Sequence, residues 1–147
     1  MVSEMTADAI EALLYEELVA RVAYVDRQGI PHIAPIAYAY DGDSFYGYSM
    51  IGSKIEHMGV HPHVCVEVDR IANAADWCSV VARGTFEPLH GDAAADAVRR
   101  ISERMRTVAV ADDAPFQAFK TYVAREGGDG IAYRIRVTNK HGRQSSV

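Results

Sequence analysis

The chain has 147 residues, 49% apolar and 24% charged, with a formal net charge of −5. That length suits one domain, 1–147, with a real core, and the acidic balance argues against nucleic acid as the main partner. No apolar run approaches the ~20 residues of a membrane span, and the acidic start MVSEMTADAIEALL lacks the basic n-region of a signal peptide, so a cytoplasmic protein is expected.

Residues 6–16 predict a short helix with Ile10, Leu13 and Leu14 on one stripe. LVARVAYVD (18–26) predicts a strand, and Arg27-Gln28-Gly29 a turn in which Gly29 takes a positive φ. IPHIAPIAYAY (30–40) is then the return strand of a hairpin. Pro31 and Pro35 each remove a ladder donor, which places part of that strand at an edge, a bulge or a ligand face. Asp41-Gly42-Asp43 is a hairpin turn, followed by a third strand, SFYGYSM (44–50). A helix over 53–60 is stopped by Pro62. HVCVEVD (63–69) alternates as a strand, 71–76 read as a loop of small residues, and WCSVVARGTFEPL (77–89) reads as a long strand with a bulge at Gly84. Asp92 is expected to cap a helix through about residue 107, with Ala94, Val98, Ile101 and Met105 on one face. A further helix is expected over 115–126, a last strand over 130–138, and a frayed polar tail from Asn139. Cys65 and Cys78 sit inside apolar runs and are expected to be buried free thiols in a reducing compartment. Six strands joined mostly by tight turns, with a few peripheral helices, predict a mostly β (α+β) fold built as a small antiparallel barrel.

The segment YGYSMIGSKIE (46–56) carries the first chemical signal. Ser53 with Glu56 three residues later forms an S-x-x-E capping box, so a helix is expected to begin there. A helix N-terminus presents unpaired N–H groups and the positive end of the macrodipole. Lys54 adds a cation where the dipole gains nothing from one, which suggests an anion, and a phosphate is the natural candidate. A solvated lysine in a first turn is the other reading of the same residues. The spacing is not that of a P-loop.

The stretches GIPHIAPIAYAYDGDSFYGYS, GSKIEHMGVHPHVCVEVD and WCSVVARGTFEPL, in this order, together resemble the pyridoxamine 5'-phosphate oxidase-like, FMN-binding split-barrel superfamily. Within it the chain looks most like the nitroimidazole-resistance-type branch, and the last strand YRIRV fits as well. The resemblance implies a six-stranded antiparallel split β-barrel that is a homodimer, with each FMN at the subunit interface. It implies a phosphate site at Ser49, Gly52, Ser53 and Lys54, and an isoalloxazine along Ala34, Pro35, Ile36 and Tyr38. It also implies a contribution from Trp77, Ser79 and Val80, near the flavin or the partner subunit. Tyr48 stands where that branch often has histidine, and it is the candidate catalytic residue. Tyr38, Tyr48 and Trp77 supply flat apolar surface for a ring, and each is equally readable as core.

His57 and His61 are four apart, with His63 and Cys65 close behind, a spacing that can hold a metal. Without a glutamate between them, and with Pro62 ending the helix, they read as solvated or capping groups, and no metal is expected. Arg99, Arg100, Arg104 and Arg106 read as the solvated face of a helix. The expected function is an FMN-dependent oxidoreductase acting on a small organic molecule, because the flavin performs the redox chemistry and no other catalytic constellation stands out. The deazaflavin F420 in the same groove, or a flavin- or haem-binding module without turnover, are the alternatives.

Overall fold

The computed structural model describes residues 1–49, 52–108, 114, 117 and 130–146. Among the described residues, eight strands and three helices follow one another: β1 Val2–Glu4, α1 Ala7–Glu16, β2 Val19–Val25, β3 Pro31–Ala37, β4 Ala39–Tyr40, β5 Ser44–Ser49, α2 Ser53–Val60, β6 His63–Asn73, β7 Asp76–Pro88, α3 Gly91–Val108 and β8 Ile131–Ser145. The strands form one antiparallel sheet in the order β3-β2-β6-β7-β8-β5-β4, with β1 on β8. The expected class, a mostly β split barrel, is the one observed. Its strand count exceeds six because the strand expected over 30–40 is divided at Tyr38 and β1 adds to the end of β8.

That division shapes the molecule. β3 and β4 are the two outer strands of the sheet, yet they are consecutive in the chain. Tyr38 stands between them with its N–H donating to the Leu18 carbonyl at 3.2 Å. Its ring is buried in the barrel, its hydroxyl donates to the Leu14 carbonyl at 2.8 Å, and it meets Phe45 edge-on at 5.3 Å. The barrel therefore stays open along the line where β3 and β4 part.

The prolines fall where the ladder tolerates them. The bonds Asp26 N–H to Ile30 carbonyl and Tyr38 N–H to Leu18 carbonyl fix the hydrogen-bonded pairs with β2 at even positions of β3. Pro31 and Pro35 occupy odd positions, whose backbone nitrogens point to the free edge, so neither removes a bond to β2. The turn before β3 is the expected one, with Gly29 at φ 80°.

Side-chain alternation sorts the core into two parts. Inside the barrel, Val22, Ile36, Phe45, Val66, Val80 and Tyr133 pack together, closed at one end by Leu13 and Leu14 of α1 and joined by Met58 of α2. On the outer face, Ala39, Tyr46, Leu89 and Ala132 pack under Ala97, Ile101 and Met105 of α3. Val19, at 52% exposure, and Ile33, at 73%, lie on the outward side of β2 and β3.

Several expectations are corrected. β6 continues to Asn73, with a two-residue turn at Ala74 and Ala75 in place of the expected loop. The tail from Asn139 is not frayed: β8 runs to Ser145, paired with β7 and β1. Backbone ladders on both sides outweigh the polar side chains there. The bulge opposite Gly84 places its extra residue, Thr138, on β8. α3 begins at Gly91, one residue before the expected cap Asp92. Cys65 and Cys78 are free but only half-buried, because Cys65 faces outward and Cys78 lies toward the end of the barrel. The helix expected over 115–126 lies in a stretch of which only Gln117 is described.

Gly47 permits a close approach in the barrel: a Cβ there would stand 2.4 Å from Cζ and Oη of the buried Tyr133 ring. Gly47→Ala is expected to destabilise the fold by about 1–3 kcal/mol through overpacking. Urea unfolding should show a lower midpoint with an unchanged slope. An unmoved midpoint would mean that the Tyr133 ring shifts aside at no cost.

Candidate functional site

α2 begins at Ser53, four residues after β5 ends at Ser49. The Glu56 N–H donates to the Gly52 carbonyl at 3.0 Å, which makes Gly52 the N-cap and Ser53 the first helical residue. The capping box expected from Ser53 and Glu56 is therefore not formed. Ser53 sits one position too late to cap, and the Glu56 carboxylate instead accepts from Arg27 at 2.9 Å. The N-cap Gly52 has no side chain to cap the helix, so among the described residues the first-turn N–H groups keep their capacity for an anion.

Lys54 lies in that uncapped turn and is half-buried. Among the described residues it has no ion-pair partner, and burial alone pulls its ammonium below the usual lysine range. A partly desolvated cation beside unsatisfied donors fits a bound phosphate in charge and in hydrogen-bonding capacity.

α2 packs against the β2–β3 hairpin through its aromatic side chains. Tyr24 and His32 are a cross-strand pair with ring centres 5.3 Å apart. His57 of α2 lies 6.3 Å from His32 and 6.4 Å from Tyr24. Asp26, buried at the hairpin turn, accepts from the Gln28 N–H at 2.9 Å and the Ile30 N–H at 3.0 Å through one oxygen, and holds His32 Nε2 at 2.9 Å through the other. The His32 ring and these two N–H groups keep the Asp26 carboxyl below the usual carboxylate range. The expected phosphate segment and the proline-bearing strand thus adjoin, through contacts that the sequence reading did not use. The signal was available: in a hairpin closed at Asp26/Ile30, His32 falls opposite Tyr24 and diagonal to Asp26.

The remaining expected residues separate. Ser49 ends β5, and Gly52, Ser53 and Lys54 open α2. Pro35 faces outward on β3, while Ala34 and Ile36 turn toward the barrel core. Tyr38 is buried inside the barrel. Tyr48 packs on the opposite side of β5 against the α3 cluster, with its ring tip on Gly130, where a Cβ would lie 2.3 Å from it. Trp77 borders a cavity of about 280 Å³ together with Arg70, Cys78 and Gln144. Ser79 donates to Glu67 at 3.2 Å, and Val80 is core. The three aromatic residues expected to flank one ring therefore occupy three environments within the chain. Alternation along β5 decides this for Tyr48, and the break between β3 and β4 decides it for Tyr38.

A split barrel with an open edge beside an uncapped helix defines the class of protein. The sequence model of the pyridoxamine 5'-phosphate oxidase family matches residues 6–126, and the chain belongs to that family. An uncharacterised protein of Rhizobium meliloti (strain 1021) is 38% identical over 63 residues, 43% of this chain, and the chain spans 42% of that relative's length. Among solved structures, an FAD-binding protein from Mesorhizobium loti is 26% identical, with a TM-score of 0.74 and 99% of each chain covered. A candidate 5-nitroimidazole antibiotic resistance protein from Bacteroides thetaiotaomicron VPI-5482 shares the fold at 17% identity, with a TM-score of 0.73, covering 98% of this chain and 87% of that one.

With no anion bound, the Lys54 charge is a burden. Lys54→Met is expected to raise the stability of the ligand-free protein by roughly 0.5–1 kcal/mol, the low end of polar-burial costs. The pH dependence follows from the lowered lysine affinity for protons. Just below the ordinary lysine range the unfolded chain binds more protons at this site, so Lys54 adds an increase of stability with rising pH there. Unfolding curves of the two proteins between pH 7 and 11 should therefore converge as pH rises. A constant difference would place the Lys54 ammonium in water.

Proposed function

We propose that this chain binds a flavin as FMN and works as an oxidoreductase on a small organic molecule. One observation carries the reading: among the described residues, Lys54 is a half-buried cation without a carboxylate partner, in the first turn of a helix whose N-cap, Gly52, has no side chain to cap it. The family and the 26%-identical FAD-binding neighbour support a flavin as the group whose phosphate that turn receives.

In this reading Lys54 and the first-turn N–H groups of α2 hold the phosphate. The free edge of β3 lies beside the ring, because its odd-numbered positions turn their backbone polar groups away from β2. The flavin supplies hydride or electron transfer when bound. The chain supplies proximity and exclusion of water. A second copy of the chain completes the enclosure: the outward side of β2 and β3 leaves Val19 and Ile33 exposed, and a homodimer covers them. The acceptor is a small flat molecule such as a nitroaromatic or a quinone.

A charged hydrogen bond contributes about 1.5–3 kcal/mol, so Lys54→Ala should weaken FMN by roughly 10- to 100-fold. Fluorescence titration of both proteins measures this, and equal affinities would remove Lys54 from the site. Anaerobic stopped-flow reduction of the loaded protein by NADH, NADPH or a reduced flavin, followed by mixing with the acceptor, tests turnover. A flavin that stays oxidised with all three reductants would leave a binding module without turnover. Sedimentation at micromolar concentration should show a dimer.

A further inference from the structure

The arginines expected on a solvated face of α3 divide into two pairs. Arg99 and Arg106 are exposed, whereas Arg100 and Arg104 are half-buried. The period of α3 explains the division. Ala97, Ile101 and Met105 pack on the sheet, and Arg100 and Arg104 flank that stripe on the side of α1 and β4. There a cavity of about 230 Å³ opens between α3, α1 and the β4–β5 hairpin, lined by Tyr15, Ala39, Tyr40, Tyr46, Arg100 and Arg104. It shares no residue with the Lys54 turn, and its occupant is independent of the flavin.

Two properties of the lining select a ligand. The first is charge. Asp96 holds the Arg100 Nε at 2.8 Å, and Asp41 lies 3.9 Å from the same guanidinium. Glu103, also at the cavity, pairs with Arg99 at 3.3 Å. Arg104 donates to a neutral group, the Glu16 carbonyl at 2.7 Å. Among the described residues it has no carboxylate partner, and one such bond leaves most donors of the planar guanidinium unused. A half-buried guanidinium in that state favours an anion with two coplanar oxygens. The second property is the wall. The Tyr40 hydroxyl is committed to Glu11 at 2.9 Å and the Tyr46 hydroxyl to Asp41 at 2.8 Å. Both rings therefore offer a ligand apolar surface, not hydrogen bonds. Tyr15 meets Tyr40 edge-on at 5.0 Å, and Arg100 lies over the Tyr46 ring at 5.1 Å. A cavity of about 150 Å³ already holds benzene, so this one has room for a single ring with one small substituent.

We propose that this cavity is a binding site for a small aromatic carboxylate. The carboxylate takes the remaining donors of Arg104, and the ring lies among Tyr15, Tyr40 and Tyr46. A ligand there strengthens a junction between two helices, because Arg104 of α3 already reaches the last residue of α1.

Calorimetric titration of the full chain with benzoate tests the proposal, with phenol and inorganic phosphate as comparisons. Benzoate should saturate at millimolar concentrations or below. Phosphate, which lacks the ring, and phenol, which lacks the charge, should each bind more weakly by roughly 10-fold or more. Arg104→Gln should weaken benzoate by about 10- to 100-fold. Arg104→Lys, which keeps the charge but not the planar fork, should weaken it less. Arg83→Gln removes the same charge from an exposed position on β7 and should change nothing. Arg104→Gln also loses the bond to α1, so a second measurement uses the wild-type protein alone. Nuclear Overhauser contacts should join the benzoate ring protons to those of Tyr15, Tyr40 and Tyr46. Absence of saturation at millimolar concentrations, wild-type affinity in Arg104→Gln, phosphate binding as tight as benzoate, or contacts to other tyrosines instead would each overturn the site.

Discussion

The position of Tyr38 is the constraint on which the rest of the architecture depends. A strand that ran unbroken from Pro31 to Tyr40 would have to serve one edge of the sheet. With its ring drawn into the barrel and its hydroxyl fixed to the Leu14 carbonyl, Tyr38 instead lets the chain change edges. β3 then pairs with β2 and β4 with β5, at opposite ends of the seven-strand order yet with one residue between them in sequence. The seam between them stays open. A free edge normally invites unwanted pairing, and prolines at outward-pointing positions are a known protection. Here the same prolines leave the rest of that edge accessible next to α2.

The second determinant is an arrangement of charges that favours the fold in one place and leaves a cost in another. Arg21 joins Glu67 and Asp69 on the outward face, at 3.2 and 2.9 Å, and burial together with Asp69 raises the Glu67 carboxyl above its usual range. Arg134 pairs with Glu87 at 2.9 Å, and Lys140 pairs with Glu11 beside Tyr40, whose hydroxyl is pushed up to about 12 mainly by burial. Lys54 differs from all of these. Among the described residues it is desolvated without an opposing charge, at the start of a helix whose N-cap glycine supplies no side-chain acceptor. Unfavourable electrostatics of this kind accumulate at sites that a ligand completes.

Much of the fold could be read from the chain because its local signals agree. The helix expected over 6–16 is α1, with Thr6 as its N-cap and Ile10, Leu13 and Leu14 buried. The turns at Gly29 and Gly42 carry the positive φ that glycine permits. The alternation of HVCVEVD places Val64, Val66 and Val68 in the core. Local signals failed where pairing partners, not side chains, decide. The polar stretch from Asn139 has weak strand propensity, yet β7 lies on one side of it and β1 on the other, so its backbone groups are satisfied only as a strand. Asn73 is likewise held in the strand by its pairing with Asp76 across the two-residue turn.

The sequence by itself determined the class of fold, the hairpins, the family motifs and the presence of a lysine at the start of α2. These depend on period-two alternation and on turn chemistry, which act over a few residues. Tertiary structure alone decided which of the expected site residues share a surface. It sent Tyr38 into the barrel and Tyr48 beneath α3, and it redirected Glu56 from a capping box to Arg27. It also set His57 against Tyr24 and His32, which lie well before it in the chain on a different element. The physical reason is that a strand assigns each side chain to one of two faces, whereas only the closing of the sheet determines what each face meets.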